Sequence, residues 1–336
     1  MNLRGFLNTS KGKKAIQREP ITPKNTTPVT SPGPPALAGL KSPIITMPFG
    51  KVEDIEIDKD YAYDNRVFED RQPTEEDLPD NSISMTTIPI PYMNQPDDPD
   101  GYTQWLVKGN TKKKVLNTPG YPRPIPKPPK LNFIVKATPA MGMGMFATRN
   151  ISFGELILSE RPLLIYPRSI NIGYDAPDHY SIEQFTKVVS METEKKLERM
   201  LSRMNEEERN AYLELANSHK EDGSGPLLGI MRTNGFGIDY LADGPHGAPI
   251  TVKNGYTAVC KLGSRINHSC IANVQGDFCI PSFSMQFVAV ADIKAGEQIV
   301  YSYCMGSTEC SKAIRAEQLL PYGIVCTCPA CEDPKL

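Results

Sequence analysis

The chain has 336 residues, a formal net charge of −2, 39% hydrophobic residues and 23% charged residues. That length suits two average domains, or one domain with a long tail, and the charge balance excludes a basic nucleic-acid-binding surface averaged over the whole chain. No apolar run approaches the ~20 residues of a membrane span, and no apolar core follows the basic start as in a secretory leader.

Residue types are unevenly distributed. Of the 31 prolines, 20 precede residue 131; all eight cysteines lie at or after Cys260 and all four histidines at or after His179. Residues 1–130 therefore read as a disordered, Pro-rich region with its charge in blocks. The first 18 residues carry five basic groups and no acid; residues 53–80 carry twelve acids against three basic groups; residues 108–130 carry seven basic groups and no acid. Such blocks are read as solvated tails, with a role in docking other proteins or as a nuclear signal around Lys112, Lys113 and Lys114. Leu3, Phe6 and Leu7 among basic residues give a mitochondrial presequence as the minor alternative to the nucleus or cytoplasm. Trp105, in the apolar patch Tyr102–Val107, is expected to anchor this tail to the folded part.

From Leu131 the pattern becomes that of a folded domain. Short strands are expected at Asn132–Val135 and Glu155–Leu158. Across 181–218, Ile182, Phe185, Val188 and Val189, then Leu197, Met200, Leu201 and Met204, recur at helical spacing, and a further helix carries Tyr212, Leu213 and Leu215. Strands return at Tyr256–Cys260, Ser284–Val290 and Gln298–Tyr301, followed by a helix over Lys312–Leu319. The expected fold is mainly β with a helical insert, an α+β arrangement of about 200 residues.

The C-terminal Cys326-Thr-Cys328-Pro-Ala-Cys331 carries the strongest chemical signal. Three thiols so close together suit a tetrahedral zinc ion, which takes four ligands. Spacing alone leaves the fourth open among Cys260, Cys270, Cys279, Cys304, Cys310 and the histidines. Arg265-Ile-Asn267-His268-Ser269-Cys270 is a polar turn after an apolar segment. Met141-Gly142-Met143-Gly144-Met145-Phe146 holds two glycines that permit close backbone approach to a ligand, and its methionines are expected in the core. Gly296-Glu297-Gln298-Ile299-Val300-Tyr301 enters an alternating strand, which would place Tyr301 and Tyr303 on one face.

In this order, together with Thr233-Asn234-Gly235-Phe236, these motifs resemble a SET-domain protein-lysine methyltransferase. The likeness is strongest to fungal SET proteins and the SET-and-MYND group; no cysteine precedes Cys260, so no MYND finger is expected. The resemblance implies small curled β-sheets with a pseudoknot, a SET domain over 131–303 with a helical insert at about 168–230, and a zinc-binding post-SET tail over 304–336. It implies S-adenosylmethionine held by Gly142, Met143, Gly144, Met145, Asn267 and His268, with Asn234 lining the pocket. It also implies Tyr303 as the catalytic tyrosine, Tyr301, Tyr303 and Tyr322 along a lysine channel, and structural zinc on Cys270, Cys326, Cys328 and Cys331. The implied partner is a protein with a target lysine, a histone or another protein; neither a membrane nor direct nucleic-acid binding is expected. A weakly catalytic SET-fold scaffold is the alternative.

Overall fold

The computed structural model describes residues 67–69, 79–80, 82–91, 98–168, 178–243, 254–306 and 309–332. The basic first 18 residues and nearly all of the acidic block lie outside these. Three small sheets make up the β framework. The largest has six strands in the order β1 (Val67–Glu69), β2 (Ile83–Ile88), β3 (Thr103–Lys108), β7 (Leu164–Pro167), β9 (Gly255–Val259) and β8 (Gly235–Ala242). A second joins β10 (Asn267–His268), β13 (Gln298–Tyr301), β5 (Met143–Ala147) and β4 (Phe133–Ala137). A third joins β11 (Val274–Cys279), β12 (Ser284–Ala289) and β6 (Leu156–Glu160). The sheets are mixed: β10 runs parallel to β13, whereas β13 and β4 both run antiparallel to β5.

Local chemistry sets the helix starts. In α2 (Ile182–Ser202), Ser181 and Gln184 form a reciprocal capping box, each side chain receiving the other's backbone N–H. In α3 (Glu206–Leu213), the Asn205 side chain accepts from the Glu208 amide at 2.8 Å. Most of the helical stripe read from the sequence is buried: Val188 is fully buried, and Leu197, Met200 and Leu201 belong to a core shared with α4 (Pro226–Asn234) and the large sheet, whereas Ile182 at the start of the helix is exposed. These helices occupy the expected insert, of which 169–177 lie outside the described residues. Among the described residues no helix is long and apolar enough to cross a membrane.

One expectation needs correcting. The region before 131 is not all tail: β2, β3 and α1 (Gly109–Leu116) belong to the folded body. Strand β3 pairs in parallel with β7, so this segment is an integral part of the largest sheet. Trp105 is fully buried, with ring centroids 5.9 Å from Tyr256 and 5.1 Å from Phe283. The Lys112–Lys114 triplet is built into α1 and does not form an extended signal: Lys112 is buried, Lys113 pairs with Asp80 at 3.1 Å, and Lys114 donates to the Ala242 carbonyl at 3.0 Å. Burial, then the nearby Arg203 charge, lowers the Lys112 ammonium to about 8. Even the Pro-rich stretch after α1 is docked, through Arg123 N–H to Pro281 O at 3.0 Å and Lys127 to Asp100 at 2.7 Å.

Candidate active site and thiolate cluster

The glycine turn closes the β4–β5 hairpin. Gly142 has φ +65°, a left-handed conformation that disfavours a side chain. Its carbonyl accepts from both the amide and the hydroxyl of Thr138, at 2.7 and 2.9 Å, and Met141 N–H donates to the same hydroxyl at 2.8 Å. Gly144 is needed for a different reason. A Cβ there would stand 2.7 Å from Gln298 Nε2 and 2.8 Å from Asn267 Nδ2 and Thr138 Cγ2. Of the turn's methionines only Met145 joins the core; Met141 and Met143 are exposed, because the turn lies at the surface end of the hairpin.

Parallel pairing of β10 with β13 sets Asn267 opposite Val300 and His268 opposite Tyr301. The Asn267 amide donates to the Met143 carbonyl at 3.2 Å, which joins the Asn-His segment to the glycine turn. The ladder is extended by Ser269 N–H to Tyr301 O at 3.0 Å. This is the juxtaposition that the expected pseudoknot requires.

Tyr301 and Tyr303 do not share a strand face. The strand ends at Tyr301, and Ser302 begins a turn in which its hydroxyl donates to Cys304 O at 3.1 Å. Tyr301 packs edge-on against Phe236, with centroids 5.5 Å apart. Tyr303 turns the other way, its ring 5.2 Å from those of both His268 and Tyr322. Its hydroxyl donates to Ile266 O at 2.8 Å and its amide donates to His268 Nδ1 at 3.0 Å. The structure thus brings together Tyr303, His268, Tyr322, Asn267 and the glycine turn. The buried Asn234 amide donates to Ala216 O and Ile230 O, both at 2.7 Å, which clips the end of α4.

The tail brings its thiols to Cys270. Sγ of Cys270 lies 3.5 Å from Cys331 Sγ and 3.9 Å from Cys326 Sγ, and the four thiols including Cys328 lie within 4.8 Å of one another. Thiolates bound about 2.3 Å from one zinc stand roughly 3.8 Å apart in a tetrahedron, so the four residues fit that ion. Electrostatics supports the same reading. Burial and the neighbouring thiols push Cys270 and Cys326 up. Burial opposes ionisation of Cys328 too, but hydrogen bonds from Cys326, Cys331 and the local backbone bring it down to about 6. Four thiols this close ionise together only when a cation is there to share them.

Three residues at the site carried no signal in the sequence reading. Arg315 of α5 (Lys312–Leu319) is buried, donates to Cys310 O at 2.6 Å and Ala330 O at 2.7 Å, and reaches Cys331 Sγ at 3.7 Å. It places a positive charge beside the thiolates. Thr138 fixes the glycine turn. Gln298 Nε2 is buried beside Gly144 with no hydrogen-bond partner among the described residues. A buried amide donor left open beside a glycine that admits no side chain fits a cofactor with a polar amino-acid end. The β5–β13 register, which only the fold provides, is the signal that would have found it.

Comparison with known proteins agrees with this geometry. Residues 142–304 match the SET domain family. Over 196 residues the chain is 31% identical to a protein of Schizosaccharomyces pombe named histone-lysine N-methyltransferase set5, covering 57% of this chain and 48% of that one. The chain therefore spans about half the length of this curated relative. The matched segment begins at Gly142 and ends at Cys304, so the tail thiols lie beyond it. By motif order, by its small mixed sheets and by that match, residues 142–304 are similar to the SET domain family.

Proposed function

We propose that this chain is a protein-lysine methyltransferase that uses S-adenosylmethionine. The observation that carries the reading is the placement of the Tyr303 phenol. It is fixed to Ile266 O at 2.8 Å, walled by Tyr322, and held by its own amide to the segment that carries Asn267. When bound, the cofactor supplies a methyl group on a positively charged sulfur. The residues that would hold it are Met143, Gly144 and Met145 through backbone, with Asn267, Gln298 and the backbone of His268. Cys270, Cys326, Cys328 and Cys331 would hold structural zinc, which ties the tail and its Tyr322 to the domain.

No nucleophilic side chain is needed, because the substrate amine is itself the nucleophile. The protein's part is alignment, and alignment in a narrow channel lowers a displacement barrier substantially. The Tyr303 and Ile266 oxygens would accept weak C–H···O contacts from a polarised methyl group. The rings of Tyr303 and Tyr322 strip water from an arriving ammonium, and desolvation lowers an amine's pKa towards the neutral, reactive form. The name of the curated relative supports a histone as substrate and the nucleus as the place of action.

The test is methyl transfer from labelled S-adenosylmethionine to histones or other proteins, with mass spectrometry to locate the label. The expected result is label on lysine Nζ, and turnover reduced on the order of 10²-fold by Tyr303→Phe, as when one fixed oxygen is removed from a transition state. Label-free lysines with the wild-type chain, under conditions where the cofactor binds, would overturn the activity. Undiminished turnover in the variant would overturn the role of Tyr303.

A further inference from the structure

We propose that the His268 imidazole is a strut between the thiolate cluster and the Tyr303 phenol, and so a positioning residue for methyl transfer. The inference rests on the reading above. Its first support is that Tyr303 N–H leaves the β10–β13 ladder and donates to His268 Nδ1 at 3.0 Å. A ring nitrogen that accepts a hydrogen bond carries no proton, so in the neutral imidazole the proton sits on Nε2. That nitrogen lies 3.4 Å from Cys270 Sγ. One rigid ring thus accepts from the backbone of Tyr303 and donates to a zinc-ligand sulfur. Such an N–H···S contact favours the thiolate and steadies the ligand's direction.

The surroundings hold the ring in place. It is 6% exposed and tilted against the Tyr303 ring at 5.2 Å. Cys304 lies close to both His268 and Cys270, and the three could be read as a second metal set. The Cys304 thiol, however, donates to Arg315 O at 3.6 Å and sits outside the four-thiol group that the tail brings to Cys270. The strut explains how a metal at the tail bears on a phenol that is not its ligand. A shift of Cys270 is passed to the Tyr303 backbone through an imidazole that cannot shorten.

Two substitutions separate the two ends. His268→Asn puts an amide where Nδ1 was, able to accept from Tyr303 N–H but too short for Cys270. His268→Gln reaches Cys270 but offers Tyr303 nothing. Both are made in the full chain, and three quantities are read: zinc released to a chromogenic chelator, cofactor affinity by calorimetry, and kcat and KM for methyl transfer. The Asn variant is expected to hold zinc about 10–100-fold more weakly, with kcat at saturating zinc falling less than in the Gln variant. The Gln variant is expected to keep zinc but lose kcat by about 10–100-fold, with KM for the donor little changed. Parallel losses in both variants, tracking their melting temperatures, would mark a packing role and overturn the strut. Normal zinc retention in Asn would overturn it also, and this arm decides even if the wild-type chain transfers no methyl group.

Discussion

Gly144 shows how one residue ties three motifs together. Its missing side chain lets Asn267 from β10, Gln298 from β13 and Thr138 from the hairpin converge within contact of one backbone position. The sequence made the glycine visible but not its reason, because Asn267 and Gln298 are far from it along the chain. The same holds for Asn234, whose amide donates to two carbonyls of the insert, contacts that spacing does not reveal. Gly144→Ala should cost about 1–3 kcal/mol of overpacking at this point, roughly tenfold or more in cofactor affinity, because the displaced groups are those proposed to meet the cofactor. Calorimetric titration with S-adenosylmethionine checks this; an unchanged affinity would show that the convergence is slack. Gly154, whose φ is +80° but whose Cβ direction is open, serves as a contrast within the same chain.

At the level of elements, the sequence was legible where periodicity or a turn was unambiguous. The α2 stripe, the β4 and β6 strands and the β12 strand have two clear faces or clear boundaries, whereas β11 was not read from the sequence. Strands β2 and β3 lack that contrast. Ser84, Thr86, Thr103 and Gln104 are as buried as Met85, Trp105 and Leu106, so polar and apolar positions no longer distinguish outside from inside. Surrounding prolines and basic blocks then gave the segment the look of a tail. Some of its polar groups are paired: Thr103 Oγ1 donates to Pro162 O at 2.7 Å and Thr87 Oγ1 donates to Gln104 Oε1 at 3.1 Å, whereas Ser84 Oγ and Trp105 Nε1 are buried with no hydrogen-bond partner among the described residues. Trp105→Ala should destabilise the whole domain by about 3–5 kcal/mol, the cost of emptying a large aromatic site in a packed core. Urea unfolding measures it. A loss under about 1 kcal/mol would mean that this segment is an appendage after all.

Across the whole molecule, three small sheets are held in register by contacts between distant pieces of chain. The glycine turn, the Asn267–His268 strand and the tail meet only because β13 pairs with β5 on one side and β10 on the other. The thiolate set illustrates the limit of local reading. The sequence supplied three ligands within six residues, while the fourth, Cys270, was named by resemblance and is placed beside them by the fold. Tyr322 depends on the same closure: it enters the site from the tail, beside Leu319 and Cys304 in a small core of its own. A site so assembled should fail as a unit when the tail is released. The most direct measurement is turnover and cofactor affinity on one sample before and after zinc is chelated, with the fold followed by circular dichroism. Turnover should fall on the order of 10²-fold as Tyr303 and Tyr322 lose alignment, and should return when zinc is restored. A stripped chain that methylates lysine at its full rate would contradict the account.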